Sequence, residues 1–301
     1  MPAPVSEKAS LSHEERTAEE PRAEGLHPVT VDRIHTANDR IRTFKLGTKD
    51  KNGIDFKAGQ WLDVHVPGIE KAGGFTITSS PRHAAPRLAE SKPYLELAIQ
   101  KSPDNPPAAW LWKPEEDIKG KELNVRVGGS FVFPPPDIDL ADIKRVVLIA
   151  GGVGINPLIS ILSHIREEHP SLRVHFLYST KLPRTNPNPA EVLFLPRILH
   201  ILEMADEGSL ALDLFFTGSG DGLVLALDDA FVASLTRGNS VRFCTHRIDE
   251  AALARAVGDM DERKSSVYYV CGPPVMTDDL VDHIRGQDQV SPGYVSCEKW
   301  W

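Results

Sequence analysis

The sequence predicts two consecutive domains: a small antiparallel β-barrel or sandwich, followed by a doubly wound parallel α/β domain. Three observations support this fold class. A chain of 301 residues corresponds to two domains at roughly 150 residues each. Its first part contains short β-prone runs separated by turn residues, as in all-β domains. Its second part alternates apolar strands with helices, which is typical of βαβ units around a parallel sheet.

The first domain is predicted to contain six strands and one short helix. Gly, Pro, Asn and Asp turns separate the strand-like runs. The predicted strands are Val29–Ile34, Arg42–Leu46, Gln60–Val66, Phe75–Thr78, Tyr94–Gln100 and Leu123–Val127. The helix covers residues 106–112. Consecutive prolines at 134–136 cannot donate ladder hydrogen bonds, so we place the boundary after Asp137, which gives domains at 27–137 and 138–301.

The second domain is predicted to contain six strands and four helices. The predicted strands are Arg145–Ala150, Arg173–Ser179, Leu212–Thr217, Val241–Cys244, Ser266–Val270 and Gly293–Cys297. The predicted helices are Pro157–Glu168, Glu191–Ala205, Asp249–Val257 and Pro274–Arg285. The region 218–240 begins with a Gly-Ser-Gly-Asp-Gly run and is predicted to be a loop.

Composition limits the classes of function. A net charge of -8 argues against a general nucleic-acid binder, and no apolar run reaches the ~18 residues of a membrane span. Residues 1–26 are polar and rich in glutamate, so we expect a disordered acidic tail. The eleven histidines form no His-x-x-x-His pair or mixed Cys/His cluster, so no metal site is predicted.

Three widely separated cysteines indicate a reducing compartment. They are also too few for an iron–sulfur cluster, which needs about four thiolates. We therefore expect a cytoplasmic protein. A mitochondrial location would require that the natural precursor is processed, because the tail is acidic and unlike a transit peptide.

The strongest motif is the run VVLIAGGVGINPLISIL at residues 146–162. A buried strand leads into a glycine turn, and we expect Asn156 to cap the next helix with Pro157 at its first position. The unpaired amides and the helix dipole would then suit a pyrophosphate. A purely structural tight turn is the alternative, because Pro157 replaces the third glycine of the Gly-x-Gly-x-x-Gly fingerprint.

The second motif is VYYVCGPPVM at residues 267–276, a strand that ends in Cys271 and Gly272 before a proline-initiated helix. Ligands of open α/β sheets bind at the carboxyl ends of the strands. Cys271 should therefore lie on the same sheet edge as the Gly151 turn. The alternative is a buried apolar cysteine without a role in ligand binding.

The order of these motifs resembles the ferredoxin–NADP reductase superfamily, and within it the oxidoreductase NAD-binding domain-containing proteins. The resemblance covers residues 27–301 and rests on five segments. These segments are KAGQWLDVHVPG (57–68), GGFTITSSP (73–81), LIAGGVGINPLISIL (148–162), CGPPVM (271–276) and CEKWW (297–301). The resemblance implies a FAD-binding barrel, a nicotinamide-dinucleotide domain, and hydride transfer from nicotinamide to flavin. The electrons would then pass to an external acceptor.

The resemblance also implies the site residues. Thr76 would hydrogen-bond near flavin N5, and the sulfur of Cys271 would lie beside nicotinamide C4; these two are the predicted catalytic residues. Phe75 would pack on the flavin, and Trp301 would either cover the flavin ring or close the edge of the last strand. The predicted cofactor-binding residues are Phe75, Thr76, Ile77, Thr78, Gly151, Gly152, Val153, Gly154, Ile155, Asn156, Ser179, Cys271, Gly272, Pro273 and Trp301.

The barrel departs from the superfamily pattern at both flavin-phosphate contacts. The Arg of the Arg-x-Tyr-Ser/Thr motif is Gly73 here, and the Gly-x-x-Ser turn is Asn105-Pro-Pro-Ala108. Each lost contact is worth ~1.5–3 kcal/mol at most, so we expect loose flavin binding. Three basic residues are candidates to replace the lost charge: Lys71, Arg82 and Lys101.

Two functions follow from these residues. The first is an NAD(P)H-dependent flavin oxidoreductase, which the retained Phe75, Thr76 and Cys271 favour. The second is a flavin-free NAD(P)H sensor or partner-supporting protein, which the two lost phosphate contacts favour. NAD is preferred over NADP by resemblance to the subgroup, although Ser179 stands where NADP-preferring relatives place a serine.

Overall fold

The computed structural model describes residues 11–86, 92–181, 191–218 and 241–299. The chain divides into two compact units between Val132 and Phe133. The first unit contains a six-stranded antiparallel sheet, and the second contains a six-stranded parallel sheet. This arrangement confirms the predicted fold class. The division between the units falls at Val132 rather than at Asp137.

The first unit is an antiparallel barrel. Its strands are β1 His27–Asn38, β2 Ile41–Thr48, β3 Trp61–His65, β4 Gly73–Thr76, β5 Tyr94–Gln100 and β6 Glu122–Gly128. They pair in the order β4-β3-β6-β1-β2-β5. An isolated bridge between Ile77 and Leu97 joins the two edges of this sheet. One core cluster contains apolar residues from all six strands, so the sheet encloses a single hydrophobic interior.

Short helices complete the first unit. They are α1 His13–Arg16, α2 Pro81–Ala84, α3 Pro106–Leu111 and α4 Glu115–Ile118. Helix α3 begins after Asn105, with prolines at its first two positions, where a missing N–H costs nothing. It buries Trp110 and Leu111 in the barrel core. The helix predicted from the sequence at 106–112 is therefore confirmed.

The second unit is a parallel sheet flanked by helices. Its strands are β7 Arg145–Gly151, β8 Arg173–Lys181, β9 Leu210–Thr217, β10 Val241–Cys244, β11 Ser266–Gly272 and β12 Val295–Lys299. Its helices are α5 Ile155–Glu168, α6 Leu195–Met204, α7 Glu250–Val257, α8 Met260–Arg263 and α9 Pro274–Arg285. The loop predicted at 218–240 lies outside the described residues except for Gly218.

The strand order in the second unit is β10-β9-β8-β7-β11-β12. The chain builds outward from β7 to β10 and then returns to add β11 on the other side of β7. The order therefore reverses between β7 and β11, and such a switch point is where open α/β sheets bind ligands. In the described ranges, no helix combines the length and apolarity needed to cross a bilayer.

Residues 11–26 are ordered against the barrel, so the prediction of a disordered tail is wrong for this part of 1–26. We call residues 11–26 the N-terminal strap. Ser12 and Glu15 form a reciprocal capping box at the start of α1. The amide of Ala23 donates to the Val127 carbonyl at 2.8 Å, which adds the strap to strand β6. Residues 1–10 lie outside the described residues.

A buried carboxylate holds the strap. Asp63 on β3 is 0% exposed and accepts hydrogen bonds from His13 Nε2 at 3.0 Å, Arg22 Nε at 3.0 Å and Arg126 Nη2 at 2.8 Å. Burial acts to raise the pKa of Asp63, but these three partners outweigh it and hold the pKa well below its usual value. His13 and Arg22 of the strap thus find their partner 50 and 41 positions away along the chain, and local sequence patterns carry no signal of it.

The ring of His13 fills a notch at Gly74. A Cβ added to Gly74 would overlap the imidazole of His13. The same ring packs edge-on against Trp61, with 4.6 Å between ring centroids. The guanidinium of Arg22 lies 5.0 Å from the Trp61 ring centroid, within cation–π range. Gly74 therefore has a structural reason to be glycine that is independent of any ligand.

We predict that Asp63→Asn lowers the free energy of unfolding by about 2 kcal/mol at neutral pH, because the hydrogen bonds from His13, Arg22 and Arg126 lose their anionic acceptor. Since the folded pKa of Asp63 is depressed, this stabilisation is complete above the unfolded pKa of about 3.9 and is lost as the pH falls below it. Urea unfolding at neutral and acidic pH measures both effects. The exposed Asp39→Asn is the control. Equal stability of Asp63→Asn and wild type at neutral pH would contradict the account.

Candidate functional site

The carboxyl end of β7 continues directly into a glycine turn. Residues Gly152–Gly154 form a 3₁₀ turn, and α5 begins at Ile155. Gly152 adopts a φ of +56°, and nothing lies within 4 Å of the place where its Cβ would be. This left-handed conformation favours glycine. The open space beside it leaves the backbone accessible to a ligand.

The other two glycines of the turn are required by packing. A Cβ on Gly154 would overlap the carbonyl group of Cys271, and a Cβ on Gly151 would lie 2.6 Å from Met276 Cε. The turn after β7 therefore lies directly against the end of β11. The open surroundings of Gly152 fit the phosphate-site interpretation, whereas the close contacts of Gly151 and Gly154 fit the tight-turn interpretation.

Asn156 does not cap helix α5, so that prediction is wrong. The N-cap is Gly154, and no side-chain hydrogen bond caps the helix. Gly154 has φ -61° and ψ -7°, so helical dihedrals begin before Asn156 and place this residue in the second position of the helix. Asn156 is 7% exposed. The start of α5 is left without a side-chain cap, as expected of an anion-binding helix.

The predicted residues of the second unit converge on one edge of the sheet. Gly151 pairs in register with Ser179 on β8, and Cys271 on β11 pairs with Ala150. Ser179 is partly exposed. Cys271 is 0% exposed, so a nicotinamide ring that contacts its sulfur must displace the groups that cover it.

Two residues at this edge were not predicted, and both lie in the first turn of α9. Met276 Cε lies within 2.8 Å of the Cβ positions of both Gly151 and Gly272. The hydroxyl of Thr277 is fully buried and has no hydrogen-bond partner among the described residues. The sequence could have indicated both residues, because the proline at 274 predicts the start of this helix. A helix that starts there places both side chains beside the end of β11.

Some predicted contacts lie outside the described residues. Trp301 and its neighbour Trp300 belong to this group, as does the proline-rich loop at 183–189. Strand β8 is described to Lys181, which is exposed at its end.

The predicted flavin residues of the barrel lie on and just after β4. Phe75 is 8% exposed, pairs with Leu62 and belongs to the barrel core. Ile77 is fully buried. The amide of Thr78 donates to the Glu96 carbonyl at 2.8 Å. Each of these three residues thus has a role in barrel packing or pairing.

Thr76 differs from its neighbours. Its side chain is 1% exposed, and its hydroxyl has no hydrogen-bond partner among the described residues. A buried hydroxyl without a partner is destabilising. Such a group in a native fold calls for an explanation, and a bound ligand is one that the resemblance supplies.

The place of the missing arginine is filled by apolar atoms. A Cβ on Gly73 would lie 2.6 Å from Phe75 Cε2 and 2.7 Å from Pro107 Cβ. The aromatic ring and the proline therefore close the space in which an arginine side chain would begin. The glycine at position 73 therefore fits this packing, and it also lacks the positive charge of the superfamily's arginine.

Helix α3 offers no free amide for a second phosphate contact. Its first two residues, Pro106 and Pro107, have no N–H. The amide of Ala108 donates to Asn105 Oδ1 at 3.2 Å, and the amide of Ala109 donates to the Asn105 carbonyl at 2.8 Å. All amides of the first turn are thus absent or already bonded.

The candidate replacement cations have contacts of their own. Lys71 Nζ lies 4.0 Å from a carboxylate oxygen of Glu15 in the strap. Lys101 Nζ lies 5.5 Å from the Trp112 ring centroid. Arg82 lies in α2. These positions give no support for a rebuilt phosphate contact.

The residues present therefore do not fit FAD as a tightly held group. Both places that would contact its diphosphate are closed, one by Phe75 and Pro107 and the other by the capping of α3. The unpaired hydroxyl of Thr76 still fits a hydrogen bond to the flavin ring system. The disagreement is confined to the phosphate end of the cofactor.

Comparison with known proteins agrees with the fold. No protein-family model matches the chain. The chain is 33% identical to "Oxidoreductase NAD-binding domain-containing protein 1" of Homo sapiens over 99% of this chain and 87% of that protein. The protein of the same name from Danio rerio is 30% identical over 99% of this chain and its own full length. The reductase component of propane 2-monooxygenase from Rhodococcus jostii (strain RHA1) is 26% identical over 82% of this chain and 56% of that protein.

Solved structures share the fold. The cytochrome P450 reductase GcoB of Amycolatopsis has a TM-score of 0.65 at 21% identity, over 93% of this chain and 70% of that chain. A ferredoxin NADP+ reductase from Neisseria gonorrhoeae, solved with FAD and NADP, has a TM-score of 0.59 at 17% identity, over 93% of this chain and 100% of that chain. These likenesses show the ferredoxin reductase fold.

We predict different costs for alanine at two glycines of the turn. Gly154→Ala forces the turn away from the Cys271 carbonyl and should destabilise the protein by about 3 kcal/mol. Gly152→Ala meets no atom and should cost about 1 kcal/mol for its positive φ alone. Urea unfolding of both variants tests this difference. Equal losses would show that the turn is not in close contact with β11.

Proposed function

The chain belongs to the oxidoreductase NAD-binding domain-containing protein 1 family, and from that premise we propose that it is an NAD(P)H-dependent oxidoreductase of the ferredoxin reductase type. It binds a nicotinamide dinucleotide at the glycine-turn edge of the parallel sheet, and a flavin takes up the hydride. The electrons leave to an acceptor outside the chain.

The convergence of three strand ends at the switch point carries this proposal. The open turn at Gly152, the neighbouring Ser179 and the adjacent Cys271 lie at the carboxyl ends of β7, β8 and β11. Pyrophosphates bind where a glycine turn meets an uncapped helix start in such a sheet. The similarity to the family covers 99% of this chain.

Each residue has one role in this proposal. Gly152 and the start of α5 receive the pyrophosphate, and Ser179 contacts the adenosine ribose. The sulfur of Cys271 contacts the nicotinamide and positions C4 for transfer, which requires a separation of ~3–3.5 Å from the acceptor atom. NAD is the preferred dinucleotide, and comparison of NADH and NADPH affinities tests this preference.

The closed phosphate contacts favour a second candidate, a flavin-free protein that binds NAD(P)H without transferring hydride. The two functions share the dinucleotide site and differ in whether bound NADH is ever oxidised. Stopped-flow mixing of the protein and NADH with added flavin and ferricyanide separates them. Protein-dependent loss of NADH absorbance supports the oxidoreductase, whereas binding without oxidation would leave the sensor.

We predict that Gly152→Ala weakens NADH binding by at least about tenfold, or ~1.4 kcal/mol, because the added methyl group occupies the approach of the pyrophosphate. Gly208→Ala is the matched control. Gly208 also has a positive φ and open surroundings, but it precedes β9 at the opposite end of the sheet. Isothermal titration measures both affinities. Equal NADH affinity in the two variants would contradict the placement of the site.

A further inference from the structure

We propose that the flavin acted on by this protein is a diffusible substrate, which the barrel recognises through its ring system and without its phosphates. The inference rests on the proposed function, because it names the class of acceptor that receives the electrons of NAD(P)H. Riboflavin, FMN and FAD would then bind with similar affinities and exchange freely.

The first support is that the superfamily's arginine is replaced by Gly73, and that other atoms occupy the space where its side chain would begin. Phe75 and Pro107 lie within 2.7 Å of the Cβ position of Gly73. A side chain at this position requires the Phe75 ring or Pro107 to shift. The terminal phosphate of FMN and the diphosphate of FAD therefore gain no ion pair at this position.

The second support is that the first turn of α3 has no free backbone amide. Its prolines remove two donors, and Asn105 takes the two amides that follow. This cap is internally complete, so a phosphate oxygen would have to compete with hydrogen bonds that already exist. Loss of both contacts weakens phosphate-dependent binding by roughly tenfold to several thousandfold. The phosphates thus contribute little to affinity.

The third support is the buried hydroxyl of Thr76. The hydroxyl of Thr76 is 1% exposed and unbonded among the described residues. A hydrogen bond from this hydroxyl to the flavin ring would satisfy a group that is otherwise costly to bury. The ring system is common to riboflavin, FMN and FAD, so this contact does not distinguish them.

The reaction balances with these reactants alone. NAD(P)H gives up a hydride, and the oxidised flavin takes that hydride and one proton from solvent. The products are NAD(P)⁺ and dihydroflavin. Dihydroflavin leaves the barrel because no phosphate contact retains it, and it carries both electrons away from the chain.

The test compares three ligands on the wild-type protein. Quenching of flavin fluorescence under anaerobic conditions gives the dissociation constants of riboflavin, FMN and FAD. We expect the three constants to agree within about threefold. An FAD affinity at least a hundredfold above that of riboflavin would overturn the proposal, since only the phosphates and adenosine differ.

Variants at Thr76 add a readout that a purely structural role would not give. Thr76→Val removes an unpaired hydroxyl, so it should leave thermal stability unchanged or higher while weakening all three flavins about tenfold. Thr76→Ser should retain the affinity.

The control is Thr48→Val, which removes a buried hydroxyl bonded to the Asp50 carbonyl at 3.0 Å. This control should lower stability and leave flavin affinity unchanged. Unaltered flavin affinity in Thr76→Val would overturn the role of Thr76.

NADH binding distinguishes failure of this inference from failure of the proposed function. If NADH binds and only tightly retained FAD is reduced, the proposed function stands and the exchangeable flavin is excluded. If NADH binds and none of the three flavins binds, the inference and the oxidoreductase function both fail, and the sensor stands. If NADH does not bind, the dinucleotide site itself is wrong.

Discussion

The candidate site depends on the close approach of two backbones in the middle of the parallel sheet. The turn after β7 lies against the carbonyl of Cys271 at Gly154, where no side chain fits. This contact brings the glycine turn and the end of β11 to the same point of the sheet edge. Gly152 is the glycine of the turn that faces open space. One steric requirement thus positions both dinucleotide motifs.

The barrel differs from the parallel sheet, because packing and capping contacts occupy its candidate ligand positions. Gly73 and α3, where the resemblance implies phosphate contacts, have packing and capping contacts within the barrel. Phe75 and Pro107 lie at the Cβ position of Gly73, and Asn105 caps α3. Thr76 is the exception, because its buried hydroxyl has no partner among the described residues. This contrast is the reason for the proposal that the barrel recognises the ring system of a flavin.

The sequence predicted the features that depend on local chemistry. Strand and helix periods predicted both sheets, and the glycine and proline positions predicted the turn after β7 and the helix start after β11. The cap of α5 was predicted wrongly, because a glycine turn with helical dihedrals is indistinguishable from a loop in sequence. The N-terminal strap was missed because its order comes from contacts of His13 and Arg22 with Asp63, which is distant in sequence. The filling of the arginine space by Phe75 also needs three-dimensional contacts that no spacing reveals.

Flavin retention during purification tests the central claim most directly. The protein is saturated with FAD, passed through a desalting column and then assayed for bound flavin and for NADH binding. The account predicts that the flavin is lost on the column while NADH still binds with unchanged affinity. Stoichiometric FAD that survives the column would show that the barrel holds the diphosphate, and it would contradict the account.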